Sequence, residues 1–279
     1  MRPGRARRST PTVPLRQAGI RYKLLDFRRE GALATVRLAR PEAGNQVDPA
    51  LAGELRAAFR AISEDSDIRV VILTGSGGVF SAGRETPPAD SGPSGATARL
   101  AWLEGVRVAS FIAALEIPVI VAVNGDALDH GLELALAGDL RIASTGAHFG
   151  LTGLARGSFP WDGGTQRLPR LVGPAWAIDM VFTGRIIDAA EALRLGLVNQ
   201  VVEADRLPQA AHELAERILA GGPIAARYAK EGIQTGMDLS LAQGLRLEAD
   251  LNILLQSTSD RAEGIKSFLA RRAPRFTGC

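Results

Sequence analysis

The sequence predicts an α/β protein with a mainly parallel sheet, followed by a region made of helices alone. Three observations support this fold class. Short β-rich apolar runs alternate with amphipathic helical patterns over residues 22–205. Glycine-bearing turns close several of these runs. Beyond about residue 205 only helical patterns continue. A repeating β-then-α order favours parallel strands covered by helices.

The first elements follow from local pattern. Residues 33–38 alternate apolar and polar positions, which is typical of a half-buried strand. Residues 49–62 form an amphipathic pattern, with Asp48 suited to cap the helix and Pro49 to occupy its first position. Residues 70–75 are a continuous apolar run closed by glycine, which predicts a buried strand.

The same order continues through the middle of the chain. Residues 85–96 carry two adjacent prolines followed by serine and glycine, which indicates a loop. Residues 99–114 have a helical pattern, and residues 118–123 predict a second buried strand. A short helix over 131–137 and a strand over 140–143 complete this part.

Four amphipathic helical patterns make up the C-terminal region. They cover residues 207–219, 224–235, 239–255 and 259–270. The last ends in Arg271-Arg272, and cations stabilise a helix C-terminus. A helical region of this kind commonly covers the surface of a neighbouring subunit, so we expect an oligomer.

The net charge of +3 comes from the N-terminal segment. Residues 1–21 contain six arginines and no acid, and without them the chain has 27 basic and 30 acidic residues. Richness in arginine, proline and glycine predicts disorder for this segment. A targeting role is open, although a plain extension from the start site is favoured. Because the folded body is mildly acidic, we expect no nucleic-acid partner.

Several classes of protein are excluded. Cys279 is the only cysteine, so a disulfide framework is excluded and a reducing compartment fits. The longest apolar stretch, 106–128, is interrupted by polar residues, so we expect no membrane span. The three histidines lack metal-ligand spacing, and the sequence has no phosphate-binding, dinucleotide or serine-hydrolase motif.

Three glycine-bearing segments follow predicted strands, and their order is the most informative feature. They are 80–85 (FSAGRE), 124–133 (NGDALDHGLE) and 160–169 (PWDGGTQRLP). With 40–43 (RPEA), 69–75 (RVVILTG), 118–125 (PVIVAVNG) and 182–185 (FTGR), they resemble the enoyl-CoA hydratase/isomerase (crotonase) family in register from about residue 36 to residue 276.

The resemblance implies a spiral of ββα repeats with a helical C-terminal trimerisation region. The chain then divides into three parts. Residues 1–21 are a disordered basic extension, 22–205 a crotonase-like α/β core, and 206–279 a helical oligomerisation region. The implied oligomer is a homotrimer or a dimer of trimers.

The resemblance also implies an oxyanion hole for the enolate of an acyl-CoA thioester. Two backbone N–H groups directed at the thioester oxygen stabilise the negative charge that develops there. In the family the donors are the residue after an Ala-Gly turn and the middle residue of a glycine triplet. Those positions are Arg84 and His130. Ala82, Gly83 and Gly131 beside them are expected to contact the substrate.

The chain departs from the family pattern in two places. Asp129-His130-Gly131 stands where relatives have a glycine triplet, but backbone donors tolerate a change of side chain. The hydratase pattern has two catalytic glutamates, of which Glu133 matches the first. The second falls at Gly153, so a hydration that uses two glutamates loses one of them.

Asp162 is the residue that can compensate. An acid stands in this slot in relatives that isomerise dienoyl thioesters and in a branch that cleaves C–C bonds of diketones. Glu133 and Asp162 are therefore the expected catalytic pair, acting as acid and base at opposite ends of an allylic system. Simpler roles stay open, with Glu133 stabilising a helix N-terminus and Asp162 as a turn or cap residue. The His130 side chain has either a functional or a structural role.

The remaining expectations concern the substrate. The resemblance places coenzyme A near Ala43 and the loop after Gly83. Arg271 matches a position that reaches nucleotide phosphate in relatives, although a plain helix-end cation is an alternative. Trp161 replaces a small residue and either narrows the pocket or belongs to the core. No metal and no cofactor is expected, since coenzyme A is part of the substrate.

The sequence therefore predicts an acyl-CoA-processing enzyme of the hydratase/isomerase type in the cytoplasm. Because Gly153 replaces a glutamate, two alternatives stay open. One is a double-bond isomerase or C–C bond hydrolase that uses Glu133 and Asp162. The other is a CoA-ester-binding homologue without activity.

Overall fold

Two β-sheets and eleven α-helices make up residues 22–83 and 95–279, which the computed structural model describes. The strands are β1 (Leu25–Glu30), β2 (Leu33–Leu38), β3 (Val70–Gly75), β4 (Val79–Ser81), β5 (Val119–Val123), β6 (Asp126–Leu128), β7 (Leu140–Ser144), β8 (His148–Gly150), β9 (Ile186–Asp188) and β10 (Gln200–Val202). The helices are α1 (Pro49–Glu64), α2 (Ala96–Val106), α3 (Ala109–Ala113), α4 (His130–Leu136), α5 (Gly164–Val172), α6 (Pro174–Thr183), α7 (Ala189–Arg194), α8 (Leu207–Leu219), α9 (Pro223–Gly236), α10 (Leu241–Gln256) and α11 (Ser259–Leu269).

The chain builds the two sheets by alternating between them. The larger sheet has the order β1-β2-β3-β5-β7-β10, and the smaller one β4-β6-β8-β9. Thus β3 and β4, β5 and β6, and β7 and β8 each place one strand in the large sheet and the next in the small one. The β1–β2 and β8–β9 pairs are antiparallel, and the other pairs are parallel. This arrangement confirms the predicted α/β fold with ββα repeats.

The central strands β3 and β5 of the large sheet are buried on both faces, which explains why they are continuous apolar runs in the sequence. Along β3, Val71 and Leu73 face the main core between the sheets and the helices. Val70 and Ile72 face the other way and pack with Ala211 and Ala215 of α8. Helix α8 lies beyond the predicted boundary at residue 205, yet it covers the outer face of this sheet.

The predicted start of α1 is confirmed. The Asp48 carboxylate accepts a hydrogen bond of 2.7 Å from the Leu51 N–H, and Pro49 occupies the first helical turn. The cap satisfies one of the N–H groups that have no partner inside a helix. Strands β2 and β3 and helix α8 have the predicted limits, and α9, α10 and α11 differ from prediction by one or two residues at their ends.

The single helix predicted over 99–114 is wrong, because two helices, α2 and α3, occupy this stretch. The chain leaves the helical conformation at Arg107 and Val108. The N–H groups of Val108 and Ala109 then donate to the Asp162 carboxylate, at 2.7 Å each. A contact distant in sequence thus overrides the local helical pattern.

Several expectations fall outside the described residues. These are the disorder of the segment 1–21 and most of the loop predicted over 85–96, of which Ala96 already begins α2. Within the described ranges, every helix is too short or too polar to cross a lipid bilayer.

Candidate active site

The turn after β4 lies against the start of α4. Gly83 has φ +109°, in the region that favours glycine, and a Cβ there would lie 3.7 Å from the His130 nitrogen. A Cβ at Gly131 would overlap the Ser81 carbonyl oxygen, so only glycine permits this approach. The Ser81 hydroxyl donates to the Asn45 carbonyl, at 3.0 Å. The structure therefore brings two of the predicted glycines together. Arg84 lies outside the described residues, and its role stays a prediction.

Asp129, just before α4, has a strained backbone. Its φ of +48° and ψ of −117° are conformations that non-glycine residues rarely adopt. Its carboxylate accepts from the Thr152 N–H at 2.6 Å and from the Arg156 guanidinium at 2.6 Å. These bonds hold the residue in place. They fix the peptide that leads into His130, whose N–H is at the first helical position and lacks an intrahelical acceptor.

Glu133 lies one turn further along α4 and is only 2% exposed. Its Oε1 atom accepts hydrogen bonds from the Asp162 N–H at 2.7 Å and the Gly164 N–H at 2.8 Å. Burial raises the pKa of the Glu133 carboxyl above its ordinary value, more strongly than His130 and the two N–H groups lower it. A carboxyl with a raised pKa keeps its proton to higher pH than an ordinary carboxyl, as a general acid requires.

Asp162 is 1% exposed and has a different environment. Its Oδ2 atom accepts from the N–H groups of Val108 and Ala109 and contacts His130 Nε2 at 3.1 Å. Its Oδ1 atom lies 3.4 Å from Arg107 Nε. Burial alone would raise the pKa of Asp162. The hydrogen bonds from His130 and the two backbone N–H groups outweigh burial and leave this pKa below its ordinary value. The two predicted carboxyls thus have opposite pKa shifts.

A cavity of about 200 Å³ adjoins these residues. Its wall includes Glu133, His130 and Gly153, so the residue expected at the position of the second glutamate faces the same space as Glu133. Trp102 and Phe159 add aromatic surface. Nowhere in the described parts of the chain do three or more histidine, cysteine, aspartate or glutamate side chains meet as a metal site would require.

A family model described as enoyl-CoA hydratase/isomerase matches residues 28–279. The chain belongs to this family. Crotonyl-CoA hydratase of Syntrophomonas wolfei is 38% identical over 256 residues, covering 91% of this chain and 98% of that protein. (E)-Benzylidenesuccinyl-CoA hydratase of Thauera aromatica is 40% identical over 250 residues, covering 88% and 96%.

The fold agrees with solved structures of the enoyl-CoA hydratase/isomerase family. An enoyl-CoA hydratase from Bacillus anthracis superposes with a TM-score of 0.88 at 37% identity, covering 92% of this chain and all of that one. The predicted crotonase fold is therefore confirmed, and the protein is an acyl-CoA-processing enzyme of the hydratase/isomerase type.

The segment expected to contact coenzyme A also lies beside the Gly83 turn. Ala43 ends a short 3-10 turn, and the next residue, Gly44, accepts a hydrogen bond of 2.8 Å from the Ala82 N–H. The Val47 N–H donates to the Gly83 carbonyl at 3.0 Å. The segment that follows Ala43 is therefore bonded to Ala82 and Gly83, and the contact of these three residues with coenzyme A stays a prediction.

Trp161 and Arg271 are the remaining residues that were expected to contact the substrate. Trp161 is half-buried, and its indole nitrogen is buried without a hydrogen-bond partner among the described residues. Arg271 follows α11 with φ +49° and is exposed. Among the described residues, it does not line the cavity that contains Glu133.

Three residues of this region were missed by sequence reasoning. Arg107 contacts Asp162, Arg156 holds Asp129, and Asn45 donates to the carbonyls of Ser76 and Val79. Of these, only Asn45 left a signal, since it follows Gly44 in a turn-forming pair. The two arginines reach their partners across long sequence separations that no local pattern reveals.

Proposed function

We propose that this protein is an enoyl-CoA hydratase that adds water across the α,β double bond of an acyl-CoA thioester. The observation that carries the proposal is the placement of Glu133. Its buried carboxyl has a raised pKa, faces the cavity, and lies on the same helix as the His130 N–H. A proton-transfer group beside an oxyanion donor is what formation and protonation of an enolate require.

The proposed oxyanion hole consists of the backbone N–H groups of His130 and Arg84. His130 begins α4, where N–H groups lack intrahelical partners and the helix dipole favours negative charge. Arg84 directly follows Gly83, which lies against the His130 nitrogen. The strained Asp129 fixes the direction of the His130 N–H before substrate arrives, and donors fixed in advance need no reorganisation during the reaction.

The proposed substrate is a short or compact 2-enoyl thioester. A cavity of about 200 Å³ bordered by Trp102 and Phe159 favours a small apolar acyl group. Two relatives are named as hydratases of crotonyl-CoA and (E)-benzylidenesuccinyl-CoA. Coenzyme A enters as part of the substrate, with no separate cofactor. The residues proposed to contact it and the acyl group are Ala43, Ala82, Gly83, Gly131, Trp161 and Arg271.

A second candidate is isomerisation of a double bond by Glu133 and Asp162. The observation that favours it is the opposite direction of their pKa shifts, because such a pair can divide the roles of acid and base. Against it, Asp162 Oδ2 already accepts from two backbone N–H groups and contacts His130. We therefore rank hydration first and assign Asp162 a positioning role.

Hydration of crotonyl-CoA by wild-type protein and by Glu133→Gln tests the proposal. The absorbance of the conjugated thioester falls as water adds. We expect the wild type to be active and Glu133→Gln to lose about 10²–10⁴-fold in kcat, the usual contribution of a general acid or base. The exposed Glu116 provides the matched control, and Glu116→Gln should keep full activity. Full activity of Glu133→Gln would refute the role of Glu133. A shift of the double bond without hydration would favour the second candidate.

We also propose a homotrimer or a dimer of trimers. Support comes from large apolar side chains that are exposed on the C-terminal helices of the single chain, such as Leu241 of α10 and Phe268 of α11, which is 83% exposed. Exposed apolar surface of this kind is typical of subunit interfaces. Light scattering coupled to gel filtration measures the mass directly. A cytoplasmic location is likewise a proposal, supported by the single cysteine.

A further inference from the structure

The imidazole of His130 has an unused nitrogen. Its Nε2 atom contacts Asp162 Oδ2 at 3.1 Å, and the side chain is 4% exposed. Its Nδ1 atom is buried and has no hydrogen-bond partner among the described residues. Buried polar atoms are nearly always paired in folded proteins, so a lone ring nitrogen beside a cavity calls for a partner that arrives with a ligand.

The surroundings of Asp162 determine which ring nitrogen carries the proton. Asp162 Oδ2 accepts hydrogen bonds from two backbone N–H groups, and Arg107 lies near Oδ1. These contacts favour the ionised carboxylate, which can only accept a hydrogen bond from the ring. In the neutral imidazole, Nε2 therefore holds the proton and Nδ1 keeps a free electron pair. A carboxylate that fixes the tautomer in this way makes the other nitrogen a base.

The His130 ring belongs to the same cavity wall as Gly153, the position expected to hold the second glutamate. His130 and Glu133 line the same cavity of about 200 Å³, and so does Gly153, where the second glutamate is absent. A Cβ at Gly153 would lie 3.2 Å from the Ser158 side chain, so this wall is already closely packed. Asp129 lines the cavity as well, but its carboxylate is held by the Thr152 N–H and the Arg156 guanidinium. The Nδ1 atom of His130 is therefore the basic atom in this wall, beside Glu133, that has no partner among the described residues.

We propose that His130 Nδ1, oriented by Asp162, is the second proton-transfer group of the site and replaces the carboxylate absent at Gly153. This role rests on the proposed hydration. Nδ1 removes a proton from water as the water oxygen forms its bond to the β carbon. The π electron pair moves toward the thioester oxygen and gives the enolate. The protonated Glu133 carboxyl donates its proton to the α carbon as the enolate collapses. The imidazolium then returns a proton to Glu133, so that one water is consumed.

His130→Gln separates the two proton transfers. The glutamine amide can still donate to Asp162 but cannot accept a proton from water, and the backbone N–H at this position is unchanged. Two reactions are measured. Hydration of crotonyl-CoA requires both groups, whereas exchange of the α proton of butyryl-CoA in D₂O requires only Glu133 and the oxyanion hole. We expect hydration to fall by about 10²–10⁴-fold, and exchange to continue at close to the wild-type rate.

His148→Gln is the matched control. His148 forms an exposed pair with Asp126 at 2.8 Å, and neither residue lines the cavity, so both reactions should be unaffected. Unchanged hydration in His130→Gln, or an equal loss in both reactions by a folded variant, would overturn the role of His130. If the glutamine variant does not unfold cooperatively, His130→Asn is measured instead, and the same split is expected. Failure of the wild type to hydrate crotonyl-CoA while exchanging the α proton would overturn the proposed function itself.

Discussion

Gly131→Ala tests the close contact between β4 and the start of α4. A Cβ at this position would overlap the Ser81 carbonyl oxygen and lie 2.8 Å from the Ser81 carbonyl carbon. Both partners are backbone atoms in buried elements, so neither can rotate away. Overpacking of a tight core costs about 1–3 kcal/mol. We expect a loss near the upper end, about 3 kcal/mol, which lowers Tm by roughly 6 °C or more.

The same substitution should reduce activity, because α4 must move away from β4 and carry the His130 N–H with it. Loss of one oxyanion donor typically costs about 10²–10³-fold in kcat. Thermal unfolding and crotonyl-CoA hydration measure the two effects. Gly53→Ala in α1 is the control, since a Cβ there meets nothing within 4 Å and should stabilise the helix by about 0.5–1 kcal/mol. A Gly131→Ala protein with wild-type Tm and activity would refute the reasoning.

Two further predictions concern the neighbouring carboxylates. Asp129→Ala removes the bonds to Thr152 and Arg156 but keeps a side chain in the strained conformation. We expect a loss of about 2 kcal/mol in the free energy of unfolding, measured with denaturant, and a lower kcat. A variant as stable as wild type would show that these bonds do not hold the strain. Burial raises the pKa of Glu133 in the folded state. The stability that the protonated carboxyl contributes is therefore complete below the ordinary carboxyl pKa of 4.5, and it is lost as pH rises through the raised value. Relative to Glu133→Gln, wild type should therefore become progressively less stable with rising pH, and a constant difference would contradict the raised pKa.

Much of the secondary structure was predictable because its causes are local. Strand β3 is an apolar run closed by a glycine, and α1 has its cap at Asp48 and a proline in its first turn. The short strands β4, β6 and β8 were missed because three residues carry too little periodicity to identify a strand. The break between α2 and α3 was missed because its cause, the Asp162 carboxylate, lies more than fifty residues away in sequence.

The sequence by itself determined the family, the alternation of strands and helices and the identity of the candidate residues, because glycine turns and apolar periodicity are local features of the chain. It also showed that Gly153 cannot supply a carboxylate. The tertiary structure alone decided how Glu133 and Asp162 differ. Burial raises the pKa of Glu133, while His130 and the N–H groups of Ala109 and Val108 lower the pKa of Asp162. It also revealed the unpaired Nδ1 atom of His130. Hydrogen-bond partners and burial depend on which distant segments meet, and only the folded chain brings those segments together.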